Sequence, residues 1–338
     1  SLFKMSDLSL MGLIEIIPKI PMLISRIRLT TNSIISENPD VLITIDSPDF
    51  CMRVAKKVRK ALPNIKIIHY VAPSVWAWRP ERAAKMSKYV DHVLALLPFE
   101  PPYMEAEGMT SDFVGHPVVS SPHISKKVQE KFKKKHNLHN GPIITVFPGS
   151  RIGEIKRMCP IFNKVLNNIE KLYPDSQFIL PVASSVEKDV INAVKSWNIK
   201  PLLLLNEGKD LKEIEHDKFI TYSISSAALA TSGTVSLELA AKKCPMIVAY
   251  KANWITTKMV KKLAKIDTAN LINIITDTKV IPEHLFENCT VENITESLRS
   301  LLNNDNNQIK AMEETMNRLG ASRKDIHLLA ANSVLNNI

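Results

Sequence analysis

Two short stretches carry the residue types that a phosphorylated ligand needs. Pro148, Gly149, Ser150 and Arg151 follow the apolar run IITVF, and Ser232, Gly233 and Thr234 follow an apolar run ending at Ala230. In each, small residues that suit a tight turn lead into a segment of helical spacing, so each reads as a strand-to-helix turn. A helix that starts there offers free backbone N–H groups and the positive end of its dipole to an anion. Arg151 adds a planar, permanently charged fork. Glu238, one turn into the second helix, is placed to reach a ribose hydroxyl. Taken singly, either stretch equally describes an ordinary turn, with Thr234 as a plain helix cap. Placed at the same carboxyl edge of one sheet, the two together can grip a diphosphate.

A second group of candidates lies in the first third of the chain. In IDSPD, Asp46 ends the apolar run VLITI and is the candidate general base, because partial burial at a strand end would raise its carboxyl toward a working range. Asp49 suits the cap of the helix that follows. The two are three apart with Pro48 between them, not the two apart of a DxD metal motif, so the reading is metal-free and without a cofactor. Trp76, Trp78 and Arg79 in SVWAWRPER form an aromatic and basic cluster, whose indoles either plug a core edge or line a site. His116, beside Gly115, is either a structural imidazole or a hydrogen-bond donor to a substrate phosphate or sugar.

The elements that position these residues alternate. Strand-like runs at 41 to 45, 66 to 73, 92 to 98 and 113 to 119 are interleaved with helical segments, and the pattern resumes at IITVF, FILPVA, PLLLL and MIVAY. Alternation of this kind implies right-handed crossovers and parallel sheets, whose ligands bind beyond the carboxyl ends of the strands. With 338 residues, the chain has room for two such domains: 1–124, a charged connection at 125–140, and 141–338. The lysines of the connection read as a solvated helix face, not a nucleic-acid patch.

A net charge of +10 favours an acidic partner, whether nucleic acid, an anionic membrane surface or a phosphorylated substrate. The four cysteines show neither CxxC pairing nor metal spacing, as in a reduced compartment. No apolar run reaches the roughly 18 residues of a membrane span. Residues 11 to 28 nevertheless concentrate Leu13, Ile16, Ile17, Ile20, Leu23 and Ile24 beside Lys19, Arg26 and Arg28. Pro18 and Pro21 predict an interrupted amphipathic segment there, packed on the core or dipping into a membrane surface.

These residues resemble the lipid-A-disaccharide synthase family of glycosyltransferases. The resemblance is carried by LSLMGLIEIIPKI, IDSPDF, HYVAPSVWAWRPERAAKM, LALLPFEPPYM, FVGHP, FPGSRIGEI, TSGTVSLELAAKKCPMIVAYK and NLINII, in order along nearly the whole chain. It implies a GT-B fold, with two Rossmann-like domains facing across a cleft, and an inverting, metal-independent transfer of 2,3-diacylglucosamine from UDP onto 2,3-diacylglucosamine 1-phosphate. It places Gly149, Ser150, Arg151, Ser232, Gly233, Thr234, Glu238 and Asn273 on the UDP side and Asp46 at the catalytic base. Asp49, Trp76, Trp78, Arg79 and His116 fall on the acceptor side or rim. It also promotes the membrane reading of residues 11 to 28 and implies a peripheral location on the cytoplasmic face of an inner membrane; a homo-oligomer is compatible with it. Two departures stand out: Phe286 replaces a glutamine, and the family's first strand and glycine-rich loop are expected ahead of Ser1. Rival readings are another UDP-sugar enzyme of the same fold, such as an epimerase or a lipid-linked glycosyltransferase, and a non-catalytic membrane-binding remnant. Product formation from the two acylated substrates separates them.

Overall fold

The computed structural model describes residues 1–4, 8, 17–231, 233, 235–252, 257, 267–303, 307–323 and 325–338. Its chain forms two compact units, Ser1–Pro117 together with Ser322–Ile338, and Val118–Ala321. The division differs from the sequence expectation at both ends: the break falls at Pro117, and the last helix returns to the first unit.

Among the described residues, the first α-helix of the first unit is α1 (Ile20–Glu37), preceded by the 3-10 turn Ile17–Lys19. The interrupted segment expected over residues 11 to 28 lies partly outside the described residues; Pro18 falls in the 3-10 turn before the helix, while the helix of 18 residues runs unbroken past Pro21. Pro21 sits in the first turn, where a missing N–H costs nothing. Four parallel strands follow, β1 (Val41–Ile45), β2 (Lys66–Tyr70), β3 (His92–Ala95) and β4 (Thr110–Phe113), in the order β1-β2-β3-β4. The fourth strand thus ends where the sequence reading began it. Gly115 at φ +84° and the 3-10 turn Pro117–Ser120 turn the rest into a loop. Between the first two strands, α2 (Pro48–Ala61) buries Cys51, Val54, Ala55 and Val58, the i, i+3, i+4, i+7 stripe of a helix lying on a sheet. Two short helices, α3 (Glu81–Met86) and α4 (Pro101–Glu105), complete the crossovers.

The second unit opens with α5 (Lys126–Lys135), anchored by the buried Phe132, with Lys126, Lys127, Lys131, Lys134 and Lys135 exposed. Its sheet contains β5 (Ile143–Phe147), β6 (Gln177–Pro181), β7 (Leu202–Leu204), β8 (Ala227–Ala230), β9 (Met246–Tyr250) and β10 (Glu283–Leu285). The order β7-β6-β5-β8-β9-β10, all parallel, is the 3-2-1-4-5-6 order of a Rossmann sheet. Covering it are α6 (Ile152–Leu172), α7 (Glu187–Val194), α8 (Leu211–Ile224), α9 (Val235–Ala241), α10 (Leu271–Thr276), α11 (Val291–Leu302) and α12 (Asn307–Arg318). On α6, Ile155, Met158, Phe162, Val165, Leu166 and Ile169 are all buried in the main core. Each contributes about 1.5–3 kcal/mol by leaving water, which fixes the helix start beside Arg151.

The C-terminal helix α13 (Ile326–Leu335) lies on the first unit, with Ala330 and Val334 packed against Ile68, Leu94 and Val114. A polar latch secures it. His92 Nε2 lies 2.9 Å from Ser333 Oγ, and that hydroxyl donates to Asp112 Oδ2 at 2.6 Å. Among the described residues no helix is long and apolar enough to cross a membrane.

Candidate functional site

The strand order of the second unit reverses between β5 and β8, and the crevice at such a switch point is where α/β sheets bind ligands. The two turns singled out in the sequence are the ones that leave these neighbouring strands. A cavity of about 560 Å³ opens there, lined by Gly149, Ser150, Arg151, Gly233 and Glu238, and also by Glu154, Lys209, Lys218 and Tyr222. Ser232 and Thr234 lie outside the described residues. The described helix starts at Val235, with Ser236 Oγ donating to the Gly233 carbonyl at 2.8 Å.

The first turn is built around Glu154, which the sequence reading did not select. Its buried carboxylate accepts from Ser150 N at 2.9 Å and from Arg151 Nη1 at 2.6 Å. Arg151 is therefore held by an ion pair instead of standing free. A guanidinium has five donors, so the pair orients the fork and leaves donors for a ligand. Gly149, at φ +123°, is obligatory: a Cβ there would lie 2.4 Å from Glu154 Cβ. The signal was present in the sequence as a glutamate three residues after the turn, the position from which a carboxylate folds back on a helix start.

On the other wall, both oxygens of Glu238 are engaged. Lys218 Nζ donates to Oε1 at 2.8 Å and Tyr222 OH to Oε2 at 3.0 Å. Burial, with the Glu238 charge beside it, pushes the Tyr222 phenol well up, so it remains a donor. Each carboxylate oxygen keeps a second lone pair, and Glu238 can still accept from a sugar hydroxyl. Lys209 is paired with Asp217 at 2.9 Å. Asn273 is not part of this cavity. It is 1% exposed, donates to the Ile281 carbonyl at 2.9 Å and accepts from Ile281 N at 3.0 Å. Its amide brackets the loop before β10.

In the first unit, the loops after β1 and β2 and the start of α3 bring Asp49, Trp78, Arg79 and Arg82 together. Asp46 ends β1, with its N–H donating to the Tyr70 carbonyl at 2.9 Å. The side chain is exposed, where the sequence suggested partial burial. Asp46 and Ser47 are consecutive left-handed residues, at φ +51° and +42°. Such conformations cost about 1–3 kcal/mol each and persist where surroundings impose them, often at functional sites. Asp49 caps nothing through its side chain; it pairs with Arg82, whose Nη2 is 3.2 Å from both oxygens.

Trp76 and Trp78 have different roles. Trp76 meets Phe99 edge-on at 5.1 Å and donates from Nε1 to Glu100 Oε1 at 3.2 Å. Trp78 is exposed and carries Arg79 at 4.4 Å and Arg82 at 5.6 Å from its ring centre. His116 is half-buried, and burial brings its imidazole down to about 4, so near neutrality it is an uncharged group.

Two further residues of this rim escaped the sequence reading. Glu100 is 3% exposed and accepts from Leu96 N, Leu97 N and Trp76; burial nonetheless pushes it up to about 7. His69, fully buried on β2, is 2.8 Å from Thr44 Oγ1 and is brought down to about 4 by burial, against the pull of Asp46. Of the membrane-facing candidates, Leu13 and Ile16 lie outside the described residues. Ile17, Ile20 and Ile24 are exposed at 61%, 42% and 55%, while Leu23 is half-buried. Among the described residues no group of three or more His, Cys, Asp or Glu could hold a metal ion.

Comparison with known proteins bears on the family and the fold class. The family model described as lipid-A-disaccharide synthetase matches residues 1–336. The lipid-A-disaccharide synthase of Ruegeria pomeroyi is 44% identical over 338 residues, 100% of this chain and 84% of that protein. That of Rickettsia prowazekii is 39% identical over 324 residues, 95% of this chain and 82% of that one. Among solved structures, a UDP-GlcNAc 2-epimerase from Neisseria meningitidis bound to UDP-GlcNAc gives a TM-score of 0.63 at 14% identity, covering 93% of this chain and 81% of that one. A glycosyltransferase from Rickettsia africae gives 0.53 at 15%, covering 93% and 80%. The structural likenesses carry the GT-B fold class and no more. The sequence matches extend along the chain and separate it from the epimerases that share that fold.

Proposed function

This chain belongs to the lipid-A-disaccharide synthetase family, glycosyltransferases that form the lipid A disaccharide, and from that premise we propose the identity of its substrates and the division of labour between its two units. The family accounts for a UDP-sugar donor and a sugar-phosphate lipid acceptor. The donor is UDP-2,3-diacylglucosamine and the acceptor 2,3-diacylglucosamine 1-phosphate. The acceptor 6-hydroxyl oxygen attacks the anomeric carbon as its proton passes to Asp46. The bond from that carbon to the UDP oxygen breaks, and the charge that develops on UDP is met by Arg151 and the N-terminal end of α6. Inversion gives a β-1,6-linked disaccharide.

The observation that carries this reading is the cavity at the β5/β8 switch point, where an oriented guanidinium, a glycine turn and a carboxylate able to take a ribose hydroxyl converge. Incubating the protein with both acylated substrates, with mass spectrometry of the products, tests it. A disaccharide monophosphate and UDP in equal amounts are expected. UDP-N-acetylglucosamine consumed in preference to the acylated donor would sink the reading.

The protein also works at an anionic inner-membrane surface, on its cytoplasmic face. Ile17 in the 3-10 turn Ile17–Lys19 and Ile20 and Ile24 at the start of α1 are exposed, with Lys19 and Arg28 exposed beside them. Apolar side chains in the acyl boundary with cations over the headgroups make a monotopic contact. Replacing Ile20, Leu23 and Ile24 with Ser should release the protein from phosphatidylglycerol vesicles while circular dichroism and UDP affinity persist. Unfolding of the triple variant would assign the segment to the core.

A further inference from the structure

The rim of the first unit carries a cationic feature that the transfer chemistry does not use. Arg79 and Arg82 both lie over the indole of Trp78, at 4.4 and 5.6 Å from its ring centre. Trp78 is itself exposed, so the three side chains form a platform open to solvent. Their charge is incompletely balanced. Arg82 uses only Nη2 toward Asp49, which leaves its Nη1 and Nε edges. The Arg79 guanidinium makes no hydrogen bond or ion pair with any described residue; its contact is the indole.

The backbone makes this placement costly, and hence informative. Arg79 is left-handed, at φ +52°. An ordinary L-residue pays for that conformation in steric strain, and Pro80 adds a second restriction on the residue before it. An extended Arg79 would relieve the strain, so the observed turn is what keeps its guanidinium on Trp78. Two guanidinium groups gathered on one ring repel each other; an anion with several acceptor oxygens bound between them removes the repulsion. Planar forks of this kind match the oxygens of a carboxylate or a phosphate, and two of them together suit the more highly charged phosphate.

We propose that Trp78, Arg79 and Arg82 form the site that recognises the phosphomonoester of the lipid acceptor, with Asp49 holding Arg82 in position. The proposal rests on the acceptor being a sugar 1-phosphate. Such a monoester carries close to two negative charges at neutral pH and offers three acceptor oxygens to the two guanidinium groups. The remaining positive charge of the platform, once Asp49 is counted, selects phosphorylated over unphosphorylated acceptors. Trp78 supplies a flat face on which the arginines are desolvated and a sugar ring can rest.

The test uses Arg79→Gly, because glycine adopts φ +52° without strain and the loop keeps its course. In the full chain, kcat/KM is measured for 2,3-diacylglucosamine 1-phosphate and for its counterpart lacking the phosphate, at fixed UDP-sugar. The ratio of the two values should fall by roughly tenfold or more, the low end of what a hydrogen bond to a charged group supplies. The KM for the UDP-sugar should stay within about twofold, and sedimentation with phosphatidylglycerol vesicles should not change. An equal loss on both acceptors overturns the proposal, and so does loss of vesicle binding, which would make the platform a membrane anchor. A second readout does not depend on turnover. Glucosamine 1-phosphate should show a broadened phosphorus resonance with the parent protein and a sharp one with Arg79→Gly. If the parent forms no disaccharide but this difference appears, the substrate reading fails and the phosphate site stands; identical line widths for the two proteins would overturn the site itself.

Discussion

The two carboxyl-edge rims of this protein solve the problem of holding charge in opposite ways. In the second unit, the cations lining the cavity have internal counter-charges: Arg151 with Glu154 at 2.6 Å, Lys218 with Glu238 at 2.8 Å, Lys209 with Asp217 at 2.9 Å. In the first unit, among the described residues, Asp46 is exposed without an ion pair, and the Arg79 guanidinium has only the Trp78 ring. The strain is distributed the same way, with non-glycine left-handed residues at Asp46, Ser47 and Arg79 against a glycine at position 149. A rim whose charges are already paired keeps its shape before ligand arrives. A rim with unpaired charges and strained turns is completed by the ligand, so its groups matter for turnover more than for stability.

The largest expected effect tests that contrast directly. Asp46→Asn removes the proposed base and no ion pair, so turnover should fall by roughly 10²–10⁴-fold. UDP affinity, which the proposed site assigns to the other unit, should hold, as should the melting temperature. Turnover within about twofold of the parent would give Asp46 a structural role and erase the distinction between the rims.

Arg151→Ala should act on the other side of the comparison and differ in kind. Loss of hydrogen bonds to a charged ligand should weaken UDP binding by about 1.5–3 kcal/mol in calorimetry. The variant also leaves Glu154 buried without its partner, so stability should drop as well. Adding Glu154→Gln should recover stability but not affinity. If Arg151→Ala alone leaves both quantities unchanged, the pairing of the second rim is incidental to its function.

How far the sequence reached follows the same division. The alternation of β-branched runs with helical stripes was enough for two parallel α/β units, because burial on both faces of a sheet forces that pattern. The turns at Gly149 and Gly233 were legible because glycine between a strand and a helix has few other uses. What stayed hidden was set by contacts between distant segments. Glu100 in LPFEP looks like a surface acid, yet it is buried, with one of its three donors on Trp76, 24 residues away. Asn273 looked like a ligand residue until the loop at Ile281 claimed its amide. Arg82 drew no notice in a basic helix start, since its pairing with Asp49 spans 33 residues. Pro21 misled in the other direction, because a proline in the first helical turn and a proline that breaks a helix look alike until the start is known.

Glu100 gives the finest test, since among the described residues it is the one buried carboxylate of the first rim. Three N–H donors favour its charged form, yet burial outweighs them and brings its pKa from 4.5 up to about 7. With the folded value above the unfolded one, the protonated form stabilises the fold. That stabilisation is complete below about 4.5 and is lost as pH rises through about 7. Glu100→Gln cannot titrate, and whatever it loses in hydrogen bonding is the same at every pH. The stability of the variant relative to the parent, read from urea midpoints, should therefore climb by about 2 kcal/mol between roughly pH 5 and 8. A flat difference would mean that the three N–H groups hold Glu100 ionised throughout. The first rim would then contain, besides the exposed Arg82–Asp49 pair, a buried and preorganised charge of the second rim's kind, placed where Trp76 meets the loop after β3.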